Sequence, residues 1–292
     1  MIIQSLLVLF LLSCALCLTP IVTLHGIGDD LTAVDGIVSM IRNHYNSSVY
    51  VHNAEIGNGF WNSFNLGMWK QVDLLHQALS SDPLLKDGFH ALAHSQGTLI
   101  MRGYIEKYND PPVITFSALT GPQNGQSGVP RSGILNKLIS SMIEKLMYTE
   151  YIQNSFSFAQ YWKDSFRTDL YLQHSKYLVE LNNEVTFNPM YRENILKLKK
   201  YISLWSPADE VIIPPSSGMF NCFAPNSRTN ITHHSETELF KKDLIGLRTL
   251  KEDGRLVFVE VEDVKHNDWK EEGKVLPVLQ KFVFAEWKKL EK

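Results

Sequence analysis

The apolar run Phe89 to Ala93 ends at His94-Ser95-Gln96-Gly97, and a stretch of helical pattern, Thr98 to Tyr108, follows at once. A chain that passes from buried strand to helix through a single serine has few backbone paths open to it. Small residues two before and two after the serine, here Ala93 and Gly97, let strand and helix pack around a strained turn. That context suits a nucleophile elbow. It makes Ser95 the candidate nucleophile and sets a test for the rest of the chain, which must supply a base, an acid and an oxyanion hole.

The flanking pattern fits a fold in which such an elbow is at home. Strand-like runs at Ile21–Leu24, 48–52, 89–93, 113–117, 200–205 and 257–261 alternate with helix-like stretches at 31–44, 69–79, 98–108 and 275–287. Alternation of this kind predicts an α/β protein with a mostly parallel central sheet covered on both faces. From Gly121 to Gly133 the chain turns into Gly, Pro, Gln and Ser, which reads as a boundary. Residues 134–198 then read as mostly helical, so a helical cap inserted at about 125–198 is expected. Because the strand pattern resumes after it, 18–292 is read as a single domain.

Residues 1–17 are set apart. Ile2 to Leu16 is nearly all apolar and ends among small residues, the pattern of a cleaved signal peptide. No stable transmembrane segment is expected in the mature chain. Cys14 and Cys17 fall within or beside that leader, which leaves Cys222 alone and allows no internal disulfide. Two sequons, at Asn46 and Asn230, are glycosylation candidates consistent with a secretory route. A formal net charge of −3 gives no reason to expect a nucleic-acid partner.

A serine hydroxyl needs a base to take its proton and an acid to orient that base. In α/β folds of this kind the chain order is Ser, then Asp or Glu, then His. The strand ending at Trp205 runs into Ser206-Pro207-Ala208-Asp209-Glu210, and the strand ending near Val261 runs into a loop carrying His266. Asp209 and His266 are therefore the candidate acid and base. Spacing alone leaves Glu210, Asp263 and Asp268 as competing acids. The oxyanion hole needs two backbone N–H groups. Gln96, next to the nucleophile, is one candidate. Ile27, in the loop His25-Gly26-Ile27-Gly28 after the first strand, is the other. That loop lacks the third glycine of a dinucleotide motif, having Leu31 at its place. No His-Glu-x-x-His or other ligand set points to a metal, and no cofactor is expected.

These residues sit within a wider resemblance. Pro20-Ile21-Val22 leading to His25-Gly26-Ile27-Gly28-Asp29, Asn62-Ser63-Phe64, Gln71-Val72, Asp82-Pro83, Gly128-Val129-Pro130-Arg131, Tyr161-Trp162-Lys163-Asp164, Leu181-Asn182-Asn183-Glu184 and Gly246-Leu247 are similar to motifs of the palmitoyl-protein thioesterases. That family consists of lysosomal α/β hydrolases. The resemblance covers nearly the whole chain beyond the leader. It implies the α/β-hydrolase fold and a triad falling on Ser95, Asp209 and His266, with oxyanion donors at Ile27 and Gln96. It further implies hydrolysis of palmitoyl thioesters carried by S-palmitoylated proteins or peptides, in a lysosome-like compartment. Palmitoyl-CoA as substrate, or lipase and carboxylesterase activity on the same fold, are the alternatives. Ala93 departs from the glycine common at the start of the elbow. A long acyl chain would need an apolar groove, for which Ile134, Leu138, Met142 and Leu146 are candidates.

Overall fold

A computed structural model describes residues 18–128 and 144–291 of the chain. Residues 1–17, expected to be a leader, and the groove candidates Ile134, Leu138 and Met142 lie outside the described residues. Within them, six parallel strands form one sheet: β1 (Ile21–Leu24), β2 (Val51–Ala54), β3 (Phe89–His94), β4 (Val113–Leu119), β5 (Lys200–Trp205) and, past two short strands, β8 (Leu256–Glu260). The two short strands, β6 (Cys222–Phe223) and β7 (Ile231–Thr232), pair antiparallel apart from it. Strands β1 and β3 are buried at every residue, which explains why they read as unbroken apolar runs rather than alternating ones.

The sheet order is β2-β1-β3-β4-β5-β8. The chain builds outward from β1 to β2, then crosses back to lay β3 on the other side of β1. The order reverses between β1 and β3, and loops leaving their C-terminal ends diverge there to open a crevice. Register brings the strand ends level. Leu24 lies opposite Ala93, His94 opposite Leu119, Leu119 opposite Leu204, and Trp205 opposite Glu260. The segments just beyond these ends carry His25, Ser95, Thr120, Asp209 and His266. All are thereby delivered to one edge of the sheet.

Helices α1 (Asp35–His44), α2 (Phe60–Asn65), α3 (Met68–Ser80) and α4 (Gln96–Lys107) follow the early strands. Two apolar clusters flank the sheet. One gathers α3, α4 and the chain between β4 and β5, with Val72, Leu75, Leu99 and Tyr104 fully buried. The other gathers α1 and the C-terminal helices around Ile37, Ile41, Trp269 and Trp287. No helix among the described residues is long and apolar enough to cross a membrane.

Several sequence expectations are corrected. The second strand lies at Val51–Ala54 rather than 48–52. The stretch 31–44 divides, because Asp30 accepts from the Thr32 N–H and opens a separate 3-10 turn at Leu31–Val34 ahead of α1. The last helix is broken into Glu272–Leu279, a π-helical turn at Gln280–Phe284, and Ala285–Leu290, with Pro277 inside the first piece. Between residues 144 and 198 the helices are short, the longest being seven residues. Side chains bonded to backbone add to the apolar packing of this region. Gln153 Nε2, for example, donates to the carbonyls of Met147 and Ala159.

The Gly- and Pro-rich segment 121–128, expected to be a boundary, is buried throughout. Arg102 donates to the Gln123 carbonyl (2.8 Å), Asn124 Nδ2 to the Phe220 carbonyl (2.9 Å) and Ser217 Oγ to the Gly125 carbonyl (2.7 Å). Small and amide residues here serve close packing, and composition alone could not separate that from a linker.

Three buried histidines give the fold a pH dependence. Burial holds His90 down to about 3 and His94 well below the ordinary value. Burial, with His233 and Lys251 nearby, holds His234 down to about 4. Each stays neutral in the fold while its unfolded counterpart takes a proton as pH falls below ~6.5, so stability is lost in that direction. Glu106 opposes them: burial pushes it up to about 8 against the pull of Arg102. Its contribution is present below the unfolded glutamate value and is lost as pH rises through its folded one. Three groups against one leave a net loss of stability as pH falls from ~6.5 to ~5. Chemical denaturation at the two pH values checks this; equal or greater stability at pH 5 would refute it.

Candidate active site

The site begins with the turn between β3 and α4. Ser95 adopts φ 54°, ψ −129°, a left-handed conformation that serine enters only under constraint from its surroundings. Its N–H donates to the Leu119 carbonyl at 3.0 Å, which ties the turn to β4. The space around it is minimal. A Cβ on Gly97 would lie 2.2 Å from the His25 carbonyl oxygen, and one on Gly26 would lie 2.8 Å from Ser95 Cβ. The loop after β1 and the elbow after β3 can therefore touch only because both residues are glycine. Gly97→Ala is expected to force these backbones apart, costing about 2 kcal/mol or more and most of the hydrolytic rate. Thermal melting and turnover of that variant check this, and wild-type values in both would contradict it.

His266 leaves β8 on a loop that returns over the sheet edge. Its Nε2 lies 2.9 Å from Ser95 Oγ, and its Nδ1 lies 2.8 Å from Asp209 Oδ2. A carboxylate can only accept, so Nδ1 carries the proton and Nε2 is left to accept from the serine hydroxyl. Asp209 Oδ1 accepts from the N–H groups of Val211 and Ile212, at 2.8 and 2.9 Å. Its Oδ2 also accepts from the Thr120 hydroxyl. Burial would raise the Asp209 carboxyl, but the bonds from His266, Thr120 and the Ile212 N–H outweigh it and hold the group below the usual carboxylate range. The arrangement can move the serine proton to His266 while Asp209 orients the ring.

The competing acids make other bonds than one to the His266 ring. Glu210 Oε2 accepts from the His266 backbone N–H at 3.3 Å. Asp268 Oδ2 accepts from the Lys265 N–H at 3.1 Å. Asp263 takes a left-handed turn position at φ 55°, its carbonyl bonded by Lys274.

The N–H groups of Ile27 and Gln96 donate to no acceptor among the described residues. The loops that carry them are joined by Ser63, at the fourth position of α2. Ser63 Oγ accepts from the Gly28 N–H at 2.8 Å, and its carbonyl accepts from Gln96 Nε2 at 2.8 Å and from Ser157 Oγ at 2.6 Å. The Gln96 side chain is thus turned away into a polar knot, while its backbone N–H stays unspent. His25 is buried and faces Glu55 Oε1 through Nε2 and the Gly26 carbonyl through Nδ1, both at 2.9 Å, which fixes the start of the Ile27 loop. Sequence reasoning gave Ser63 and Thr120 no place in the site, and weighed Glu210 only as a competing acid, not as a partner of the His266 main chain. Their bonds run between elements distant along the chain and leave no local pattern.

Leu146 is 51% exposed and belongs to neither apolar cluster. Asn46 and Asn230 are exposed. Cys222 is half-buried, and burial pushes its thiol up from the ordinary value. Among the described residues no group of three His, Cys, Asp or Glu side chains could hold a metal ion.

Comparison with known proteins accords with this geometry. A family model described as "Palmitoyl protein thioesterase" matches residues 20–266. Palmitoyl-protein thioesterase 3 of Dictyostelium discoideum is 36% identical over 260 residues, covering 88% of this chain and 89% of its own. The lysosomal thioesterase PPT2 homolog of Drosophila melanogaster is 31% identical over 267 residues, covering 88% of this chain and 89% of its own. Among solved structures, a monoacylglycerol lipase of Paleococcus ferrophilus superposes with a TM-score of 0.51 at 13% identity, covering 94% of this chain and 96% of that one. The last likeness bears on the fold alone, which is that of the α/β hydrolases. The family match spans β1 through His266, and on that ground the chain belongs to the palmitoyl protein thioesterase family.

Proposed function

We propose that the protein hydrolyses long-chain acyl thioesters, with S-palmitoyl cysteine of proteins or peptides as the substrate class. The observation that carries this reading is the continuous line of contacts from Ser95 Oγ through His266 to Asp209 in a chain of this family. Ser95 attacks the acyl carbonyl as His266 Nε2 takes its proton. Asp209 holds the imidazole and stabilises the imidazolium that forms. The tetrahedral oxyanion is received by the N–H groups of Ile27 and Gln96. The C–S bond breaks and the cysteine thiolate leaves, taking the proton from His266. A thiol with pKa near ~8.5 is a far better leaving group than an alcohol. Water, deprotonated by His266, then attacks the acyl-enzyme and releases the fatty acid.

The acyl chain supplies most of the binding. At ~0.8 kcal/mol per buried CH₂, a palmitoyl tail is worth on the order of 10 kcal/mol before ordering costs. The groove for it is proposed along Ile134, Leu138 and Met142. The exposure of Leu146 leaves it free to face a ligand at the end of that stripe. The lysosomal names of relatives and the exposed sequon residues Asn46 and Asn230 support a secretory route with removal of residues 1–17.

Turnover of a palmitoyl-cysteine peptide, palmitoyl-CoA, an acetyl thioester and a palmitoyl oxygen ester, each with a Ser95→Ala control, tests the reading. The palmitoyl peptide is expected to be turned over fastest. Faster cleavage of the oxygen ester would point instead to a lipase or carboxylesterase. Equal rates for acetyl and palmitoyl thioesters would remove the groove.

A further inference from the structure

We propose that His94 is a positioning residue that holds the main chain of His266 in line with Ser95. The inference rests on the triad reading given above. His94 is the last residue of β3 and is 1% exposed. Its Nε2 lies 3.0 Å from the His266 carbonyl oxygen. A carbonyl can only accept, so Nε2 carries the proton and donates. The two imidazole rings are 4.9 Å apart between centroids.

The other ring nitrogen, Nδ1, is buried with no partner among the described residues. An orphaned buried acceptor costs stability, and an apolar ring of similar size would fill this place without that cost. What the imidazole adds is the one donated bond. Burial, reinforced by the neighbouring His266, keeps the ring neutral, so it donates without setting a second positive charge beside the imidazolium formed during turnover. At the backbone N–H of His266 itself, Glu210 Oε2 accepts at 3.3 Å. The catalytic ring is aimed by Asp209, while its backbone is gripped at the carbonyl by His94 and at the N–H by Glu210. The grip matters because the His266 loop follows β8, an edge strand with a sheet neighbour on one side only.

The test uses the full-length protein as wild type, Ser95→Ala, His94→Phe, His94→Gln and His94→Asn. Glutamine carries an amide donor at the position of Nε2, whereas the asparagine amide falls short of it. Three quantities are read on folded protein: the rate of Ser95 labelling by a fluorophosphonate, kcat and KM for a palmitoyl thioester, and the melting temperature. His94→Phe is expected to slow labelling and kcat by about 10- to 100-fold with KM unchanged, and His94→Gln to recover most of that loss. Wild-type rates in folded His94→Phe overturn the proposal. If the phenylalanine variant does not fold, the amide pair decides: faster labelling in Gln than in Asn supports the proposal, and equal rates overturn it. Absence of labelling in the wild type would instead strike the triad reading itself, and Ser95→Ala identifies the labelled residue.

Discussion

Ser95→Ala is expected to lower turnover of a palmitoyl thioester by about 10⁵- to 10⁶-fold, the loss seen when a triad nucleophile is removed. The fold is expected to survive. Alanine keeps the Cβ, keeps the left-handed turn and gives up only the Oγ contact with His266, a bond worth about 1 kcal/mol. Backbone strain separates two variants that are equally inactive. At φ 54° a residue with a Cβ is held against its preference, and glycine is not. Ser95→Gly is therefore expected to melt higher than Ser95→Ala, because relief of strain worth about 1–3 kcal/mol exceeds the added freedom of the unfolded chain. Turnover and calorimetry of the pair check both statements. Substantial hydrolysis by pure Ser95→Ala would reject the nucleophile.

Asp209→Asn is the second large effect, with an expected fall in kcat of about 10⁴-fold. The asparagine oxygen can keep the bonds from the Val211 and Ile212 N–H groups, so the loop has no reason to move. The amide nitrogen then faces His266 Nδ1 and donates to it. That inverts the tautomer: Nε2 becomes the protonated nitrogen and points a hydrogen at Ser95 rather than a lone pair. The melting temperature should change little while the rate collapses, and the Nδ1 proton resonance of His266 should vanish from the NMR spectrum. A variant that retains most of its rate would shift the acid's role to another residue, with Glu210 the nearest in sequence.

Much of this architecture was legible because the decisive signals are local. A serine between small residues at a strand–helix junction is visible from Ala93 to Gly97, and a strained turn at Ser95 lies at that junction. Chain order and strand-end position made Asp209 and His266 candidates, since a parallel sheet with level strand ends sends every such loop to the same edge. What escaped was long-range. Thr120 reads as an ordinary residue past β4, yet its hydroxyl meets a carboxylate 89 positions away. Ser63 stands out only within the motif Asn62-Ser63-Phe64, yet it joins the two loops that carry the oxyanion candidates. The 121–128 segment misled because glycine and proline mark loose linkers and tight interior crossings alike. Between 144 and 198 the apolar residues are buried in the core from short turns rather than from long amphipathic helices, so their count did not reveal the helix lengths.

The distance along the chain between Ser95 and His266, 171 positions, also has a meaning in time. During synthesis Ser95 emerges well before His266, by on the order of ten seconds or more at ~5–20 residues per second. His266 arrives on the loop that follows β8, the strand at the sheet's far edge, so the ring cannot reach the serine until that strand has docked on β5. Strand pairing between segments distant along the chain, here Tyr201 with Leu256, is slower to form than local structure. Hydrolytic competence is therefore a late event, withheld from every partial chain that ends before the last strand is in place, and its appearance during refolding should report completion of the sheet rather than formation of the elbow.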